Sequence, residues 1–94
     1  MKKTTKYASP IAVGSKVFIR TVTHHYTGKI VALTKEEMVL SHAAWIADNG
    51  RFSQALASGQ FNEVEPYPDV AVSISRGAVL DVSEWQHDLP LAVK

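Results

Sequence analysis

The chain has 94 residues and a formal net charge of +1, the size of one small domain whose core barely suffices without a staple or self-association. It holds no cysteine, which excludes a disulfide framework, a thiolate zinc site and a cysteine nucleophile. At 46% hydrophobic and 20% charged residues it is too apolar to be disordered, yet no run approaches the roughly eighteen apolar residues of a membrane span and the start lacks a signal-peptide core, so a soluble cytoplasmic protein without membrane contact is expected.

Residues 1–12 form a polar, lysine-rich lead, with Pro10 near the start of ordered structure. From Lys16 to Val22 a β-branched and aromatic run alternates at period two and predicts a first strand. Thr23-His24-His25 is the turn, and Tyr26 to Leu33 the second strand, whose Gly28 marks a bend or a close backbone approach. A polar turn at 34–37 leads to a third strand from Met38 to Ala47. On simple alternation Ser41, Ala43 and Trp45 share one face and Met38, Leu40 and His42 the other, which separates Ser41 from His42. Asp48-Asn49-Gly50 breaks the pattern, and Phe52, Ala55 and Leu56 with Gly59 as a stop predict a short helix over 51–58. Glu65 to Asp69 carries two prolines and is no central strand. Val70 to Ile74 is a fourth strand, Ser75-Arg76-Gly77 a turn, and Ala78 to Ser83 a fifth, with Leu80 and Val82 facing the core. The tail, 85–94, is irregular and pinned by Trp85. Five short strands with a glycine bend predict a mainly β domain over 1–94, a small, strongly bent antiparallel barrel with a helical insertion at 48–69.

Charge is divided unevenly. Residues 1–35 carry seven Lys and Arg and no acid, while 36–94 carry all nine acids against Arg51, Arg76 and Lys94. Either the first third forms a basic surface for nucleic acid, or folding mixes the two halves. Lys16, Arg20 and Lys29 are candidate phosphate contacts, and His24, His25 and Tyr26 can stack on bases. Arg76 and Gly77 offer a guanidinium and a backbone N–H to a phosphate, or else make an ordinary hairpin turn with glycine at positive φ. Adjacent strand residues point to opposite faces, so His24 and His25 do not chelate one metal. Glu63, Glu65 and Asp69 lack the glycine-turned loop of a calcium site. No metal site, cofactor, phosphate loop or catalytic constellation is expected.

Three pieces of the chain resemble the Sm-like proteins, the small-barrel family that includes bacterial Hfq and the Sm and LSm proteins. They are Gly14-Ser15-Lys16-Val17-Phe18-Ile19, then Tyr26-Thr27-Gly28-Lys29-Ile30 with Met38-Val39-Leu40, then Ser75-Arg76-Gly77-Ala78-Val79-Leu80. The resemblance implies an SH3-like barrel that associates head to tail, strand four of one copy against strand five of the next, into a ring of six or seven copies. It places a ligand at the subunit clefts beside Arg76 and Gly77. Val39 stands where RNA-binding members carry asparagine, which separates this chain from their base pocket.

The function expected from these residues is a non-catalytic, ring-forming binding protein for RNA or a nucleotide. One sub-reading is a phage-encoded protein that sequesters a nucleotide signal in the host cytoplasm. The alternative is a structural or assembly adaptor, such as a virion or host-interaction component.

Overall fold

The computed structural model describes residues 8–94, so the first seven residues of the expected lead lie outside the described part. Three strands come first: β1 (Lys16–Thr21), β2 (His25–Leu33) and β3 (Glu37–Asp48). Threonines set both turns. Thr21 Oγ1 donates to the His24 carbonyl at 2.8 Å and accepts the His24 N–H at 3.0 Å. Thr34 Oγ1 accepts the N–H groups of Glu36 and Glu37, and the Thr34 N–H donates to the Glu37 carbonyl at 3.0 Å. Each hydroxyl thereby bonds backbone groups of its turn.

Next come α1 (Phe52–Ser58), β4 (Glu63–Pro66), β5 (Val72–Ser75) and β6 (Val79–Glu84). The result is one antiparallel sheet of six strands in the order β4-β3-β2-β1-β6, with β5 on the first half of β3 and β4 on its second half. The mainly β expectation and the short helix hold, with a correction to six strands. The extra one, β4, lies inside the expected insertion and uses Pro66 at its end, where a missing N–H costs least. Its outer side is met by the tail, since Val64 and Lys94 exchange backbone hydrogen bonds of 2.9 and 3.0 Å.

Strand pairing does not close this sheet into a barrel. Between β5 and β6 runs a 3-10 turn, Arg76–Ala78, that touches both ends of the sheet. The Arg76 N–H donates to the Glu36 carbonyl at 2.8 Å, and the Ala78 carbonyl accepts the Val22 N–H at 3.1 Å. The turn is therefore not a hairpin, and Gly77 does not adopt a positive φ.

Bulges decide which residues face inward. Thr27 pairs with Ala44 but Lys29 with Ser41, so His42 and Ala43 together oppose Gly28. His42 takes a left-handed φ of 51°. A Cβ on Gly28 would stand 3.0 Å from Leu40 Cδ1 and 3.4 Å from the Ala43 Cα, a close approach that favours glycine because any side chain would have to push Leu40 aside. The extra residue reverses the alternation: Ala43 packs with Met38 and Leu40, and Ala44 and Ile46 pack on the other face. A second shift, between Arg20 and Thr21, leaves Leu80 unpaired and 67% exposed, and brings Val79 and Val82 to the core in place of the expected Leu80 and Val82.

Both faces of the sheet are covered. On the inner face Val17, Ile19, Ile30, Met38, Leu40, Ala43 and Ile74 form one cluster. The outer face carries Phe18, Ala44 and Ile46 under Ala55, Phe61, Val64 and Trp85. The helix ends at Gly59, which takes φ 76° and donates its N–H to the Ala55 carbonyl at 2.8 Å. Trp85, 2% exposed, pins the tail as expected; it stacks on Phe61 with centroids 5.0 Å apart and donates its indole N–H to the Asp88 carbonyl.

Candidate functional site

Tyr26 on β2 lies directly opposite Trp45 on β3, and Trp45 directly opposite Glu65 on β4. The turn between β1 and β2 adds His24, whose ring lies 5.6 Å from that of Trp45 and 6.2 Å from that of Tyr26. Just past β4, the Tyr67 N–H donates to the Ala43 carbonyl at 2.9 Å, which anchors Tyr67 at the same margin. Burial, and then the neighbouring Tyr67 hydroxyl, raises the Tyr26 pKa above its ordinary value, keeping that phenol neutral. Trp45 and Tyr67 remain 38% and 37% exposed. Together these four side chains make an aromatic ledge at the edge of the inner cluster, against which Tyr26 itself packs. Such a surface offers flat faces for stacking and two polar tips.

The remaining candidates lie elsewhere. Lys16, Arg20, His25 and Lys29 stand on the outer face, because they alternate with Val17, Ile19, Tyr26 and Ile30, which face inward. Arg20 is engaged: its guanidinium grips the Asp81 carboxylate through Nε and Nη2, and lies 4.4 Å from the centre of the Phe52 ring. That hydrogen bond holds the Asp81 carboxyl below its ordinary pKa and raises that of Arg20, each against the opposing effect of burial. His25 sets its edge on Phe18, with Nδ1 3.2 Å from Asn49 Oδ1. Lys16 Nζ donates to the His87 carbonyl at 2.7 Å. Lys29 is exposed, directly across from Lys16.

Arg76 and Gly77 occupy the 3-10 turn, where Arg76 Nη1 donates to the Thr34 carbonyl at 2.8 Å and braces the turn between β2 and β3. Gly77 is exposed, and a Cβ there would meet nothing closer than Ser75 Oγ at 3.8 Å. His24 and His25 diverge to the two faces, as strand geometry requires. Ser41 and His42 correct the alternation argument: the bulge brings His42 Nδ1 to 3.3 Å from Ser41 Oγ. The pair is open, and among the described residues no carboxylate is bonded to His42, so the orienting acid of a hydrolytic triad is missing. No group of three or more potential metal ligands occurs among the described residues, and no described helix is long and apolar enough to cross a membrane.

In the sequence Trp45 shares a face with Ser41 and Ala43, and Tyr67 sits between two prolines; nothing there joins either to His24 and Tyr26. The pattern that unites them is the pairing of Tyr26 with Trp45, and that depends on the bulge at His42. The partner of Arg20 was likewise hidden, because Asp81 lies 61 residues away. Neither a family model, nor a curated protein, nor a solved structure matches this chain.

Proposed function

We propose that this protein is a non-catalytic binding module that takes RNA or a nucleotide by stacking a base on the ledge of His24, Tyr26, Trp45 and Tyr67. The observation that carries the reading is the exposed Trp45, flanked by His24 and Tyr26, with Tyr67 beside Tyr26 at the same margin of the sheet. Stacking is tolerant of base identity, so it requires no asparagine at Val39. We extend the proposal to an Sm-like ring of six or seven copies. β5 and β6 each have a strand on one side alone among the described residues, and a neighbouring copy would seal those margins head to tail. In a phage setting such a ring would sequester a nucleotide signal. A second reading, an assembly adaptor, is favoured by Glu65 facing Trp45 and by exposed Val22 and Leu80 near the open edge of β6.

The test is fluorescence titration of labelled single-stranded RNA and of ATP into the full chain, with light scattering to give the mass of the free protein. The expected result is saturable binding that Trp45→Ala weakens by about 1–3 kcal/mol. Absence of binding at low salt to either probe overturns the nucleotide reading and leaves the adaptor. A monomeric mass overturns the ring.

A further inference from the structure

A separate cleft lies on the outer face, between the segment following α1 and the tail. It is open to solvent and has a volume of about 670 Å³, within the range of small-molecule sites. Phe61 and Val64 supply apolar floor, and Lys16, Gln60, His87, Asp88 and Lys94 supply polar wall. Among the lining side chains, the two ammonium groups of Lys16 and Lys94 therefore stand against one carboxylate, that of Asp88.

Neither ammonium is in an ion pair among the described residues. Lys16 Nζ is fixed 2.7 Å from a backbone carbonyl, that of His87, and Lys94 Nζ lies 3.2 Å from Gln60 Oε1. The one ion pair among the described residues is Arg20 with Asp81, so both lysines rest on neutral oxygens and keep donors to spare. Lys29 sharpens the imbalance. It sits directly across from Lys16 on the adjacent strand, where two like charges repel. An anion seated beside Lys16 relieves that repulsion, and the half-buried position of Lys16 over an apolar floor strengthens the attraction.

We propose that this cleft binds a small anion through phosphoryl or carboxylate oxygens, with Lys16 and Lys94 as direct contacts and Lys29 as a longer-range one. The site is distinct from the aromatic ledge, which lies on the inner face, and it does not depend on nucleotide binding there.

The experiment titrates the full chain with inorganic pyrophosphate and, separately, with succinate, following backbone amide shifts by NMR at constant ionic strength held with sodium chloride. The expected result is a saturating shift confined to Lys16, Val64 and residues 58–61 and 86–94, the lining of the cleft. Tighter binding of pyrophosphate identifies a phosphoryl ligand, and tighter binding of succinate a carboxylate. Lys94→Gln, which leaves the Lys16 brace in place, weakens binding about fivefold, and Lys29→Gln by about twofold. Shifts that fail to saturate, that spread over the surface, or that persist unchanged in Lys94→Gln overturn the proposal.

Discussion

The inner face of the sheet is built mainly from three consecutive strands, β1 to β3, whose apolar residues recur at period two. The outer face is built from Phe18 on β1 together with α1, Phe61 and Trp85, pieces brought from the insertion and the tail. Four aromatic rings meet around Phe18: His25, Phe52, Phe61 and Trp85, with centroids 5.6 to 6.0 Å from its own. One face thus forms from near neighbours in sequence and the other from distant ones. A sheet of this length gains a second core by recruiting segments that have no partner of their own. It also gains two separate surfaces, the ledge on one side and the cleft on the other.

The largest expected effect breaks the outer face. Trp85→Ala removes the ring that joins β1, Phe61 and the tail, and is expected to cost about 3–5 kcal/mol; Leu40→Ala, on the inner face, is expected to cost about 2–5 kcal/mol. Denaturant unfolding measures both, and hydrogen exchange tells them apart. In Trp85→Ala the Lys94 and Val64 amides exchange before that of Ile30, whereas Leu40→Ala exposes β2 and β3 amides as well. Simultaneous loss of protection at Val64 and Ile30 in Trp85→Ala would show that the two faces open as one unit.

A smaller effect sharpens the picture of the outer face. Thr27 is fully buried there, and its Oγ1 has no hydrogen-bond partner among the described residues. Thr27→Val keeps the shape and removes the unsatisfied hydroxyl, so it is expected to stabilise the protein by about 1 kcal/mol. A rise in the denaturation midpoint checks this, and a fall would mean that the hydroxyl is satisfied in solution.

The smallest effect concerns charge. The Arg20 hydrogen bond holds Asp81 below its ordinary value of 3.8, so its stabilising contribution is present above that value and is lost as pH falls through the lower folded value. Wild type and Asp81→Asn therefore differ slightly near neutrality and converge in acid. Solvent exposure of the pair keeps the difference small and lets salt diminish it. Thermal melts from pH 7 to pH 2 measure the convergence; a gap that widens in acid contradicts it.

Much of the fold was legible because the signals were local. The period-two run at Lys16 to Val22, the polar turns and Gly59 after Phe52, Ala55 and Leu56 all depend on residues close in sequence, and each element stands within a residue or two of its expected place. The faces of β3 and β6 were not legible. One left-handed residue at His42 and one unpaired residue at Leu80 invert the alternation, and neither His nor Leu announces a bulge by its chemistry. The candidate residues scattered for the same reason. The sequence groups Lys16, Arg20, His24, His25, Tyr26 and Lys29 by proximity, whereas the pleat divides them between two faces and leaves Arg76 and Gly77 in a bracing turn.

The divergence of His24 and His25 equips the molecule with its own pair of spectroscopic reporters. One imidazole lies against Trp45 and the other against Phe18. Ring-current shifts from a single dipeptide therefore register events on opposite sides of the sheet. If a base stacks on Trp45 as proposed, it would move the His24 resonances and spare those of His25, while loosening of the packing around Phe18 would do the reverse.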